Sequence, residues 1–306
     1  MLACVLRVWL VVEVLLWTAV GFWLAARWQW PAIAVPAIVA IALLGWRSIG
    51  NALTFAWAWQ VGPERPAALR TTFAQRLRAI LEEGWTFTRA YCWTQLWPER
   101  YGREGPAIEA TPLPAAPVLL VHGYACNAGV WRWYAKWLER EGFTVYTVSL
   151  EPVFASIDTM SLGLERRIDE IVQASGAKQI AVVCHSMGGL VIRSYLRRRG
   201  SARVARLVTL GTPHSGTALA VIAGGTNGAQ LRIGSEWLMD AGNRTGLDRI
   251  AHGFTAVMSY DDNLVSPHRT ATLPTARTIE LAGIGHLSMI ASRRVFAHVL
   301  AALRGP

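Results

Sequence analysis

The alternation of apolar and polar positions divides the 306-residue chain into three parts. From Val8 to Ala26 every residue is apolar except Glu13, Thr18 and Gly21, and from Trp30 to Trp46 there is no charge. At about 1.5 Å rise per residue, both runs approach the roughly 17–25 residues that a membrane-spanning helix needs. Only Arg27, Trp28 and Gln29 separate them, so the pattern predicts a tight antiparallel hairpin over residues 8–46. Glu13 is costly in lipid and is expected to face the partner helix or lie near the boundary. A buried helical pair, or a cleavable signal peptide followed by a core helix, would give a similar pattern. The length of the first run and the immediate start of the second favour the hairpin.

Residues 66–97 read differently. Leu69, Phe73, Leu77, Ile80 and Leu81 recur at helical spacing, with Arg70, Arg76, Arg78, Glu82 and Glu83 between them. One or two amphipathic helices are predicted, with Pro66 suited to a first turn. Such a helix either packs on a globular domain or lies in a membrane interface. Pro98 to Pro117 holds five prolines and reads as a linker. Beyond it, short apolar runs alternate with helical patterns. Strands are expected at 117–121, 144–150, 180–183, 204–210, 254–258 and 278–281. Helices are expected at 131–141, 162–174 and 293–303. That alternation implies a mostly parallel sheet covered by helices on both faces. The expected organisation is a hairpin (1–50), an amphipathic segment and linker (51–116) and a catalytic domain (117–306).

Composition sharpens this picture. Hydrophobic residues are 53% of the chain and charged residues 16%, which suits a membrane segment joined to a globular domain. The net charge of +10 is almost all arginine, with Lys only at 136 and 178. The arginines are scattered and no basic helix or nucleic-acid motif accompanies them, so nucleic acid is not an expected partner. Anionic lipid fits the charge better. One Arg lies in the hairpin turn, whereas Arg47, Arg65, Arg70, Arg76 and Arg78 follow it. The positive-inside rule then places both termini and the catalytic domain on the cytoplasmic side of the inner membrane. Cys4, Cys92, Cys126 and Cys184 show no disulfide or metal spacing, so reduced thiols and no metal are expected.

The candidate chemistry centres on Cys184-His185-Ser186-Met187-Gly188, between the strand ending at Val183 and the helical pattern opening at Leu190. A serine flanked by small residues at a strand-to-helix turn is a nucleophile elbow, which lifts the hydroxyl above the sheet. Gly188 fits that pattern, and Cys184 stands where glycine is commonest. Acyl transfer by serine also needs a base, an acid to orient it and donors for the oxyanion. His286, on a glycine-bearing loop after the last strand, is the candidate base. Asp262, directly after a strand and before Asn263-Leu264-Val265, is the candidate acid. Its neighbour Asp261 points the other way and is expected to be a solvated turn carboxylate. The backbone N–H groups of Met187 and Tyr124 are the candidate oxyanion donors, with Gly123 permitting the turn. His122 is read as a structural hydrogen-bonding residue, with His185 and Gly188 supporting the elbow.

The segments His122-Gly123-Tyr124, His185-Ser186-Met187-Gly188-Gly189, Gly211-Thr212-Pro213-His214-Ser215-Gly216, Asp262-Asn263-Leu264-Val265 and Gly285-His286-Leu287 resemble the motif set of bacterial triacylglycerol lipases and related carboxylesterases. The resemblance covers residues 117–306 and implies an α/β-hydrolase fold, a lipid or other apolar ester substrate and no cofactor. It implies that the stretch after Pro213, including Ala218 to Ile222 and Leu238-Met239, lines or covers the acyl site. No carboxylate pair matches the calcium site of some relatives. An acyltransferase or thioesterase with the same triad, and a non-catalytic tethered interaction protein, remain alternatives at this point.

Overall fold

The computed structural model describes residues 1–62, 65–101, 103–104, 117–243, 250 and 253–305. Six parallel strands form one sheet in the order β2-β1-β3-β4-β5-β6. These are β1 Val118–Val121, β2 Val145–Val148, β3 Ile180–His185, β4 Val204–Leu210, β5 Phe254–Ser259 and β6 Arg277–Leu281. The near-continuous apolar runs of β1, β2 and β3 are those of buried strands, whereas the edge strand β6 is partly exposed. Side-chain alternation divides the core in two. Leu119, Val121, Val182 and Cys184 pack with α6 (Ile157–Ser175) and α7 (Gly188–Arg199). Val118, Leu120, Ala181 and Val183 pack with α5 (Arg132–Arg140) and α10 (Arg293–Arg304). Trp131 and Tyr134 are fully buried there, each worth about 2–3 kcal/mol of apolar burial. This is the α/β-hydrolase fold. Parallel pairing brings every strand's C-terminal end to one edge, where ligands bind in such sheets.

The two N-terminal apolar helices are longer than their hydrophobic runs. Helix α1 spans Leu2–Trp28 and α2 spans Val35–Val61. Both are long and apolar enough to cross a membrane. The turn between them occupies Gln29 to Ala34, because Pro31 and Pro36 set the second helix starting later than Trp30. Arg47 does not end α2, since its guanidinium pairs with Glu13 of α1 and also donates to the Leu43 carbonyl. At about 1.5 Å per residue α2 is roughly 40 Å long, and its last turns run beyond the apolar stretch that ends at Trp46. They reach the sheet-bearing part of the chain, where Thr54 and Trp59 make the contacts described below.

Helix α3 spans Phe73–Cys92, opened by a capping box between Thr72 and Gln75. Its orientation reverses what amphipathicity alone suggests for a helix packed on a domain. The apolar stripe points away from the protein: Phe73 is 82% exposed, Leu81 63% and Trp85 60%. The buried face carries Ala79, Glu83, Thr86 and Ala90. The reason lies in Glu83, whose carboxylate is needed inside. The expected linker at 98–117 begins as a short helix, α4 (Pro98–Tyr101), and otherwise lies mostly outside the described residues. After β4, helix α8 (Gly225–Gln230) packs beside α6 and helix α9 (Glu236–Asn243) beside α7.

Candidate active site

Ser186 sits at φ +55°, in the left-handed region that a non-glycine residue adopts at a cost of about 1–3 kcal/mol. Strand β3 and helix α7 hold it there, with its N–H donating 2.9 Å to the Leu210 carbonyl. Neighbouring backbone is close on every side. A Cβ at Gly188 would lie 2.6 Å from the His122 carbonyl oxygen, so the elbow needs glycine at that position. A Cβ at Gly123 would lie 2.7 Å from Ser186 Cβ and 3.2 Å from its Oγ. The His122–Tyr124 backbone therefore runs directly against the serine. Cys184 is fully buried among apolar side chains and is accommodated as a small core residue.

His286 and Asp262 meet across the strand ends. His286 Nδ1–H donates to Asp262 Oδ2 at 2.8 Å, and both side chains are buried. Asp262 Oδ1 accepts the N–H groups of Leu264 at 2.9 Å and Val265 at 2.8 Å. Burial raises the Asp262 pKa, but the His286 charge and these hydrogen bonds outweigh it, and the carboxyl is held below its ordinary range. Burial pulls the His286 imidazole down, yet the charge and hydrogen bond of Asp262 and the charge of Glu83 leave it above the usual histidine value. Gly211, at φ +53°, explains its motif: a Cβ there would lie 2.9 Å from Asp262 Oδ2 and 3.2 Å from His286 Nδ1.

The supporting histidines are neutral. His122 Nδ1–H donates to the Gly123 carbonyl at 2.8 Å, while Nε2 accepts the Leu150 N–H at 2.9 Å. Burial pushes its pKa down to about 4. His185 Nε2–H donates to the His286 carbonyl at 3.1 Å, and its pKa is pushed down to about 3, mainly by burial. Tyr124 donates through its hydroxyl to the Gly224 carbonyl at 2.9 Å, tying the loop above Ser186 to the segment before α8.

Asp261 departs from the sequence reading. It is fully buried and paired with Arg65 at 3.1 Å, and it also accepts from Trp59 Nε1 and the Gly283 N–H. The turn is covered by the N-terminal segment, so a carboxylate expected in solvent becomes an anchor for that segment. Two further residues were not singled out by the sequence. Glu83 of α3 accepts the N–H groups of Leu287 and Ser288, each at 2.7 Å, immediately after His286. Asn263 accepts the His286 N–H at 3.0 Å and donates to Thr54 Oγ1 at 2.8 Å. Asn263 carried a signal, its place in the Asp262 motif. Glu83 carried none, since Glu82 beside it reads the same way and is exposed.

Ser186 and His286 line one cavity of about 510 Å3. Its other walls are Trp46, Gly50 and Thr54 of α2, Phe87 and Tyr91 of α3, and Leu219, Ala220 and Ile222 after Pro213. Its volume falls in the range of small-molecule sites, roughly 300–1,000 Å3. The expectation for Leu238-Met239 does not hold: Leu238 packs into the core and Met239 is exposed. The reason is that α9 lies against α7, with Trp237 Nε1 donating to Asp158 of α6. Among the described residues, no group of three or more His, Cys, Asp or Glu is disposed to hold a metal.

Comparison with known proteins places Ser186 and the His122–Tyr124 loop within a recognised sequence type. Residues 116–229 match the profile of the alpha/beta hydrolase fold. A triacylglycerol lipase of Burkholderia plantarii is 28% identical over 149 residues, which are 43% of this chain and 41% of the lipase. A triacylglycerol lipase of Pseudarthrobacter phenanthrenivorans is 30% identical over 112 residues, which are 34% of this chain and 35% of that protein. The chain thus spans less than half the length of these curated relatives. A Bacillus licheniformis lipase in its mature form superposes with a TM-score of 0.57 at 21% identity, covering 64% of this chain and 95% of that one. Lipase B of Aspergillus fumigatus gives 0.54 at 17% identity, covering 69% of this chain and 58% of its own. At those identities the structural likeness concerns the fold.

Proposed function

We propose that this protein is a membrane-anchored serine hydrolase that cleaves carboxylic esters of lipids or other apolar compounds. The observation that carries the reading is a serine held at φ +55° in a cavity shared with His286, whose Nδ1–H is fixed 2.8 Å from the Asp262 carboxylate. Asp262 sets the tautomer, leaving His286 Nε2 as the base. Ser186 Oγ attacks the ester carbonyl carbon while Nε2 takes its proton. The carbonyl π electrons move onto oxygen, where the N–H groups of Met187 and Tyr124 receive the negative charge. The tetrahedral species collapses, the alcohol leaves with the proton from His286, and an acyl-Ser186 ester remains. Water, deprotonated by His286, then repeats the sequence, releasing the acid and restoring Ser186.

The anchor reading rests on the length and the exposed apolar side chains of α1 and α2, both of which are also tied to the rest of the chain. Arg7 Nε of α1 donates to the Leu96 carbonyl at 2.7 Å, and Thr54 Oγ1 of α2 accepts from the Asn263 amide at 2.8 Å. Loss of α1 would leave the buried Arg47 guanidinium without Glu13, which argues against a cleaved leader. The outward apolar stripe of α3 would lie in the interface beside the hairpin. The positive-inside bias puts the catalytic domain on the cytoplasmic face.

Labelling tests the chemistry. A fluorophosphonate should add once, at Ser186, and Ser186→Ala should not label; labelling elsewhere, or none on folded protein, would overturn the reading. In inner-membrane vesicles with the cytoplasmic face outward, protease should digest the catalytic domain. Protection would reverse the orientation.

A further inference from the structure

The cavity that holds Ser186 has a wall that the alpha/beta hydrolase match does not include. Trp46, Gly50 and Thr54 are spaced by four residues along α2 and present one face to it. Glycine is an unfavourable choice at position 50. In a helix interior it costs about 0.5–1 kcal/mol relative to alanine. Packing gives no reason for it, since a Cβ at Gly50 would meet no atom within 4 Å. Its backbone conformation gives none either, because it lies inside regular α-helix. What the missing side chain leaves is open volume in the cavity.

The surroundings of Gly50 are arranged around that volume. Trp46 indole N–H donates to Glu13 Oε1, and Glu13 is itself held by Arg47, so the buried ion pair of the hairpin fixes the indole at one end of the wall. Thr54, at the other end, receives the Asn263 amide that also holds the His286 N–H. Across the cavity stand Leu219, Ala220, Ile222 and Leu231. Trp46 is 43% exposed and Ile222 78%, so the cavity lining includes apolar side chains that reach the protein surface.

We propose that the acyl chain of the substrate lies along the Trp46–Gly50–Thr54 face of α2, and that Gly50 sets the bulk and length of chain this wall admits. The proposal rests on the ester-hydrolase reading and adds to it a specificity residue supplied by the anchor. Any side chain at position 50 would occupy the space of chain methylenes. Each methylene lost from an apolar pocket changes kcat/KM by about tenfold or more.

The test uses Gly50→Ala, Gly50→Leu and Gly50→Phe in the full-length protein, purified in detergent, with p-nitrophenyl esters from butyrate to palmitate. Gly45→Phe is the control, because its Cβ also enters open space but outside the cavity. The ratio of long-chain to short-chain kcat/KM should fall in the order Ala, Leu, Phe, by at least about tenfold at Phe. The optimum should move to shorter chains, while Gly45→Phe keeps the wild-type ratio. If Gly50→Phe does not fold, the Leu step alone must show the fall. An unchanged ratio across the Gly50 series in an active enzyme overturns the proposal while leaving ester hydrolysis intact. A wild type inert toward every ester overturns both.

Discussion

Glu83 offers the sharpest test of how the N-terminal helices support the site. Its carboxylate takes two buried N–H groups, from Leu287 and Ser288, at 2.7 Å each. Hydrogen bonds to a charged group are worth about 1.5–3 kcal/mol each, so the gross loss on removing both is about 3–6 kcal/mol. Part of this is offset, because the carboxylate itself is desolvated; burial raises its pKa despite those bonds. A net loss of about 2–4 kcal/mol is expected for Glu83→Ala, with a fall in thermal midpoint of roughly 5–10 °C. Glu83→Gln keeps one acceptor oxygen and should lose about half as much. The kinetic effect is separate. Leu287 and Ser288 follow His286 directly, so release of the turn displaces the imidazole, and a shift of about 1 Å costs on the order of 100-fold in kcat. The Glu83 charge also favours imidazolium. Removing it should move the acid limb of the pH–rate profile to lower pH in both variants. Thermal melts in detergent and kcat against pH from 4 to 9 provide the readouts. Wild-type melting, kcat and acid limb in both variants would mean that Glu83 supports neither the turn nor the imidazole.

Other residues give further tests. The rate requires neutral His286, whose pKa is raised, so kcat/KM should rise with pH through a midpoint above about 6.5; Asp262→Asn should lower that midpoint and cut kcat by about 10⁴, and a loss under tenfold would argue against the pairing. The depressed pKa of Asp262 means its stabilisation is present above the ordinary carboxylate range and is lost as pH falls through the folded value, which a pH series of melts will register. Gly123→Ala puts a Cβ 2.7 Å from Ser186 Cβ, so kcat should drop at least about 100-fold with little change in melting; full activity would mean the loop is not seated on the serine. Arg65→Met leaves Asp261 charged and buried, costing about 3–5 kcal/mol in denaturant melts, and adding Asp261→Asn should restore much of it.

The sheet and the elbow were legible because their signals are local. Ile180 to Val183 is a continuous apolar run, and the strand, small residues and serine that follow state the turn in order. The same holds for Val204–Leu210, whose limits in the fold are those of its apolar pattern. Contacts between distant segments were not legible. Whether Glu82 or Glu83 faces inward depends on which side of α3 meets the loop after His286, and periodicity pointed to the apolar side. Asp261 read as a solvated residue because its partner, Arg65, lies 196 positions away. Helix α2 looked like a membrane span ending near Trp46, yet its continuation to Val61 forms a wall of the cavity. In each case a residue of the N-terminal segment, which the family profile does not match, completes or supports the site.

Whether Ser186 is the nucleophile of an ester hydrolase is decided by hydrolysis of a p-nitrophenyl ester series by wild type and by Ser186→Ala. The wild type should be active and the variant should lose at least about 1,000-fold in kcat/KM, with both proteins melting alike. Equal rates in the two proteins, or a folded wild type inert across the whole series, would contradict that role.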